Sequence, residues 1–200
     1  MRNHFYKLLL KYLSLYVFDT DKLVYIFPTT DSLIKQFPQA KVVMADNLGN
    51  NKINIRNESL RLDEIRTYAP DFILLNGTLH YERDILNLLG QVGNQCNRHT
   101  RLIVTYYSAL WKPFMRVATF FGLRNNLPEA NWIAPDDVNN LLHLSDFEIV
   151  RSESHVLVPI YIPLFSNLIN RYIAPLPFFR AFNLVNIINT FFNYLFKTSV

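Results

Sequence analysis

The chain has 200 residues, of which half are hydrophobic and 18% charged, with a formal net charge of +4. That length suits one domain burying roughly 70% of its unfolded surface, and the composition excludes a disordered chain. The modest positive charge permits contact with acidic lipid or phosphate but does not point to nucleic acid, and the single cysteine, Cys96, excludes an internal disulfide or a cysteine-based metal cluster. One cysteine suits the cytosol.

At the N-terminus Leu8, Leu9, Leu10, Leu13 and Leu15 alternate with Lys7, Lys11 and three tyrosines, and no small-residue cleavage site follows. This predicts an amphipathic leading helix rather than a signal peptide. No stretch reaches the ~18 uninterrupted apolar residues of a spanning helix. Lys22 to Phe27 is a continuous apolar run, as expected of a strand buried on both faces, and Pro28 stops it. Thr29, Thr30 and Asp31 offer N-caps for a helix through Gln36. Lys41 to Asp46 and Lys52 to Arg56 read as the second and third strands. Ser59 to Tyr68 reads as helix and Asp71 to Asn76 as the central strand. A helix from Glu82 to Cys96 and a strand from Arg101 to Tyr106 follow.

Pro135 sits just inside a helix running to His143, with Ala134 at its cap position. Phe147 to Ser152 and His155 to Val158 then read as two antiparallel closing strands. Strands alternating with helices define an α/β class: a doubly wound, mostly parallel sheet of seven strands with helices on both faces. The expected order is 3-2-1-4-5, with the closing pair at the far edge.

Several blocks carry a family resemblance. Asn76-Gly77-Thr78-Leu79-His80-Tyr81 resembles the segment after strand four in class I S-adenosylmethionine-dependent methyltransferases. Tyr106 to Pro113, Asn131 to Asp137 and Leu144 to Val150 are similar to the corresponding segments of one bacterial branch. The resemblance spans roughly residues 20 to 180. It implies a Rossmann-like domain over 1–158, S-adenosylmethionine as cofactor and a small-molecule or lipid-linked acceptor, in a cytoplasmic protein.

The first-strand turn departs from that family. A class I enzyme has an acid in strand one and then three alternating glycines, whose missing Cβ atoms let the backbone approach the cofactor. Here Tyr25 stands at the acid position, and Phe27, Thr29 and Asp31 stand where the glycines belong; no glycine occurs before Gly49. The resemblance implies further cofactor contacts at Asp46 (ribose), at Asn57 or Glu58 (adenine), and at Asn76, beside the methyl-transfer position. It implies an S-adenosylmethionine-dependent methyltransferase acting on an unidentified acceptor, with a catalytically inactive methyltransferase-fold interaction module as the alternative.

His80 suits a general base, because a free imidazole takes up and releases protons near neutral pH, and Tyr81 stands beside it; both also suit structural roles. Trp111 and Trp132 suit either an acceptor pocket or packing. His4, His80, His99, His143 and His155 lack metal-ligand spacing, so no metal is expected.

Residues 159–200 read as an apolar, basic extension. After Glu153 the chain has no acid, while Arg171, Arg180 and Lys197 remain. Asn183, Asn186, Asn189 and Asn193 recur every three or four residues, which predicts an amphipathic helix over 181–196. Its apolar side suits its own domain, a protein partner or a membrane surface, the last compatible with peripheral contact at the inner membrane face. The same tail suits an accessory protein in lipid-linked glycan metabolism.

Overall fold

A computed structural model describes residues 2–28, 31–44, 59–122, 131–159, 162 and 164–194. In chain order the helices and strands are α1 (Arg2–Leu13), β1 (Leu23–Ile26), α2 (Asp31–Ile34), β2 (Lys41–Val43), β3 (Ser59–Leu60), α3 (Ile65–Tyr68), β4 (Phe72–Asn76), α4 (Ile85–Gln95), β5 (Arg101–Tyr107), α5 (Lys112–Phe120), α6 (Pro135–Leu144), β6 (Phe147–His155), α7 (Phe165–Leu168), α8 (Pro177–Arg180) and β7 (Val185–Phe192). The strands form one seven-stranded sheet in the order β3-β2-β1-β4-β5-β7-β6. Strands β1 to β5 are parallel to one another, and β7 runs antiparallel to both β5 and β6.

The apolar runs lack alternation because both sheet faces are covered. Leu23, Tyr25, Leu74 and Ile103 face one side, where Leu9 and Leu13 of α1 and Leu33 of α2 pack on them. Val24, Ile26, Ile73, Leu75, Leu102 and Val104 face the other, against Leu88, Leu89 and Val92 of α4 and Val138 and Leu142 of α6. Each fully buried aliphatic side chain contributes about 1.5–3 kcal/mol, so the two layers dominate the stability.

The five-strand order and the antiparallel far edge agree with expectation, but the strands that build the edge differ. The expected hairpin of 147–152 and 155–158 is instead the single strand β6. Its antiparallel partner is β7, drawn from the segment expected to be an amphipathic helix over 181–196. The asparagine spacing imitated a helical period, but β7 is buried on both faces between β5 and β6 and has no polar face to display. Within the stretch 159–200, Val185–Phe192 thus supplies a strand inside the sheet.

Ser59 to Tyr68 is a second correction: β3 comes first, then a short 3-10 turn over Leu62–Glu64 and only one turn of α-helix in α3. The expected third strand at 52–56 lies outside the described residues. Helix α1 is present and amphipathic, and α6 begins at Pro135 with Ala134 as its N-cap. Gly93 of α4 lets that helix lie close on β7, because a Cβ there would collide with the ring of Phe192.

Candidate functional site

In an open α/β sheet, ligands gather at the carboxyl ends of the parallel strands, where the strand order reverses. Here that point is the rim shared by β1 and β4. Phe27 leaves β1 at φ 49°, a left-handed conformation unusual for a bulky residue, and its N–H donates to Val43 O at 2.8 Å. The ring is half-buried against the α4 side of the core. Thus the backbone makes a turn that suits glycine, with a phenylalanine in it.

Asn76 ends β4 and is 2% exposed. Its Nδ2 donates to Tyr25 Oη at 3.1 Å, and its Oδ1 accepts from Thr105 Oγ1 at 2.5 Å. The side chain therefore crosses between β1 and β5 beneath the rim. Burial pushes the Tyr25 hydroxyl well above the ordinary phenol range, so it stays a neutral partner. Gly77 follows at φ 69°, which its lack of Cβ permits, and its N–H donates to Thr105 O at 2.8 Å. Thr78 Oγ1 donates to Ile26 O at 3.3 Å, closing the β1–β4 gap a second time.

His80 lies in the 3-10 turn over Thr78–His80 and is 1% exposed. Its Nε2 accepts the Tyr107 N–H at 2.8 Å, so Nδ1 carries the proton and donates to Asn131 O at 2.9 Å. The ring stacks on Tyr107, with centroids 5.2 Å apart, and leans on Trp132. Both ring nitrogens are committed to backbone groups, which runs against the expected general base. His80 instead fastens the exit of β5 to the segment entering α6. Tyr81 is half-buried and ends the same turn, its N–H donating to Thr78 O at 3.0 Å.

Of the other expected contacts, Asp31 opens α2, while Thr29, Asp46, Asn57 and Glu58 lie outside the described residues. The described rim thus brings Phe27 and Asn76 together through the ends of β1 and β4. Tyr25 and Thr105 are the residues that sequence reasoning undervalued. Thr105 was detectable as the one hydroxyl in the run Leu102-Ile103-Val104-Thr105, and it stands in register with Asn76.

Trp111 Nε1 donates to Phe182 O at 2.7 Å, and its ring contacts Phe114, so it ties α5 to the strand entering β7. Cys96 is buried with its thiol pushed up to about 12 by desolvation, and is no nucleophile. Among the described residues no cluster of three His, Cys, Asp or Glu side chains has the placement to hold a metal. A cavity of about 400 Å³ lies between α4 and the α6–β6 turn, lined by Leu86, Gly90, Ser145 and Phe192 among others.

This sheet order, with an antiparallel strand inserted beside β5, is the fold of the class I S-adenosylmethionine-dependent methyltransferases. A methyltransferase of that dependence from Archaeoglobus fulgidus superposes with a TM-score of 0.58 at 12% identity, over 94% of this chain and 93% of that one. The magnesium protoporphyrin IX methyltransferase of Synechocystis, solved with bound SAH, gives 0.53 at 11% identity over 96% and 84%. Against the mitomycin 7-O-methyltransferase MmcR the TM-score is 0.50 at 14% identity, with 88% of this chain matched and 50% of that one. No protein-family model matches the sequence, and no curated protein matches it.

Proposed function

We propose that this chain is a methyltransferase-fold binding domain in which the rim between β1 and β4 is closed to S-adenosylmethionine, so that it acts by interaction rather than by methyl transfer. The observation that carries this reading is the buried Tyr25–Asn76–Thr105 chain of hydrogen bonds. In the class I arrangement the methionine half of the cofactor meets an acid of the first strand and a backbone stripped of side chains. The described residues present a neutral phenol already bonded to Asn76, and a phenylalanine at the turn. At these two positions the described residues depart from what that group meets in the class I arrangement. His80, with both ring nitrogens occupied, offers no base for an acceptor's proton.

The same fold favours a second reading, an S-adenosylmethionine-dependent methyltransferase acting on an unidentified small-molecule or lipid-linked acceptor. Its specific support is Phe27 at φ 49°, where the backbone keeps the left-handed geometry of a glycine turn. Calorimetric titration with S-adenosylmethionine and its demethylated product separates the two. The proposal expects no saturable heat from either ligand. Saturable binding that strengthens when Phe27, Thr29 and Asp31 are replaced by glycine is the signature of the second reading and overturns the first.

A further inference from the structure

The same carboxyl rim continues past the crevice to β5 and β7, where its character reverses. Helix α5 leaves the end of β5, and the segment 164–184 enters β7 beside it, since Tyr107 pairs with Val185. Trp111 bonds Phe182 O and so joins the two pieces. Large apolar side chains on both point into solvent: Phe114, Phe120 and Phe121 around α5, and Phe165, Phe178 and Phe182 around α7 and α8. Phe120 is 85% exposed and Phe178 is 75% exposed, values ordinary for lysine and unusual for phenylalanine in a lone soluble domain.

Charge on this surface has one sign. Lys112, Arg116, Arg171 and Arg180 stand among the aromatics, and all but the half-buried Lys112 are exposed. No acid occurs between Asp84 and Glu129 or after Glu153. Among the described residues none of the four cations reaches a carboxylate within ion-pair distance. Aromatic rings that bury in the interface, set among cations that pair with acidic headgroups, suit a lipid surface with negative charge. No helix among the described residues is long and apolar enough to cross a membrane, so the contact is with one leaflet.

We infer that α5 and the α7–α8 segment together form a docking surface for an anionic lipid bilayer. This assignment does not depend on whether the crevice accepts a cofactor. A complementary acidic protein partner or a second copy of the chain are the competing occupants. A protein partner of that kind would need a contiguous, matched surface. Half of these rings instead stand around the short helices α7 and α8, which Pro175 and Pro177 separate, and the other half around α5, so that each can enter a fluid interface on its own.

The test is co-sedimentation of the full chain with vesicles of pure phosphatidylcholine and of phosphatidylcholine mixed with phosphatidylglycerol, alongside sedimentation velocity without lipid. Binding is expected only to the mixed vesicles, weakening as salt is raised. Phe120→Ser combined with Phe178→Ser should lower it at least tenfold, and Arg116→Glu combined with Arg180→Glu should lower it by about fivefold or more per residue. Circular dichroism melts on both double variants verify that they fold. Absence of binding to mixed vesicles overturns the inference, as does binding that neither folded variant weakens. So does self-association of the natural chain that the aromatic variant abolishes, since the surface would then be covered by a second copy.

Discussion

Two stretches of one rim treat their side chains in opposite ways. At β1 and β4 the polar groups turn inward: Asn76, Tyr25 and Thr105 bond one another under the surface, and His80 spends both nitrogens on backbone. At β5 and β7 the apolar groups turn outward, with six phenylalanines in solvent. A buried polar group left unbonded costs more than a satisfied one returns, so the first stretch is committed to its own stability. An exposed ring contributes little to the folded state, so the second stretch is free to serve something outside the chain. The difference separates residues held by the fold from residues available to a partner.

The comparison breaks first, if it breaks, at Asn76. Asn76→Ala leaves two buried hydroxyls without their partner, and the expected loss is about 2–4 kcal/mol in urea unfolding. A loss below about 0.5 kcal/mol would mean that water already serves those hydroxyls and that the rim is open.

An intermediate effect is expected where α1 meets β6. Tyr16 Oη donates to Glu153 at 2.5 Å, Arg151 pairs with the same carboxylate at 2.6 Å, and His155 stacks on Tyr12. Burial alone would raise the Glu153 carboxyl, but the Tyr16 hydroxyl, His155 and Arg151 outweigh it and hold it below the usual range. His155 is lowered chiefly by burial, against the pull of Glu153. Both shifts make the unfolded chain bind protons more readily. Stability is therefore full above the ordinary histidine value, falls as His155 titrates below about 6.5, and falls again as Glu153 takes a proton below the ordinary carboxyl range. Glu153→Gln should flatten the second step and cost under about 1 kcal/mol at neutral pH. Melting temperatures across the acid limb for the natural chain and this variant check the sign.

The smallest effect sharpens the contrast from the other side. Phe120→Ser should leave stability within about 0.5 kcal/mol of the natural chain, as expected of a ring that packs on little. A loss comparable to that of Asn76→Ala would show that the exposed stretch is structural after all.

The parallel half of the sheet was legible because its strands are short, continuously apolar and separated by crossover-length segments, a pattern that a helix of ordinary length does not produce. The far edge was not. Asn183, Asn186, Asn189 and Asn193 fall at helical spacing, yet three of them answer to separate local needs. Asn183 Nδ2 donates to Ser154 O and Ala174 O, Asn186 Oδ1 accepts from Ser154 Oγ, and Asn193 bonds Glu148. The better signal was the β-branched density of Val185, Ile187, Ile188 and Thr190, which favours a strand. At the candidate site, sequence placed Phe27 and Asn76 at the strand ends. It could not tell that Asn76 points inward, because that depends on the cross-strand register of Asn76 with Thr105.

The position of β7 bears on how the chain is made. Strand β6 is synthesised some thirty residues before β7, yet among the described residues its ladder runs to β7 alone. While the nascent chain emerges, β5 offers a naked edge and β6 waits without a place, so the sheet stays open until the last described strand arrives. A ribosome stalled before Val185, or a protease cutting there, would not trim an end but withdraw an interior strand. The product would carry an exposed, aggregation-prone border instead of a shortened but intact domain.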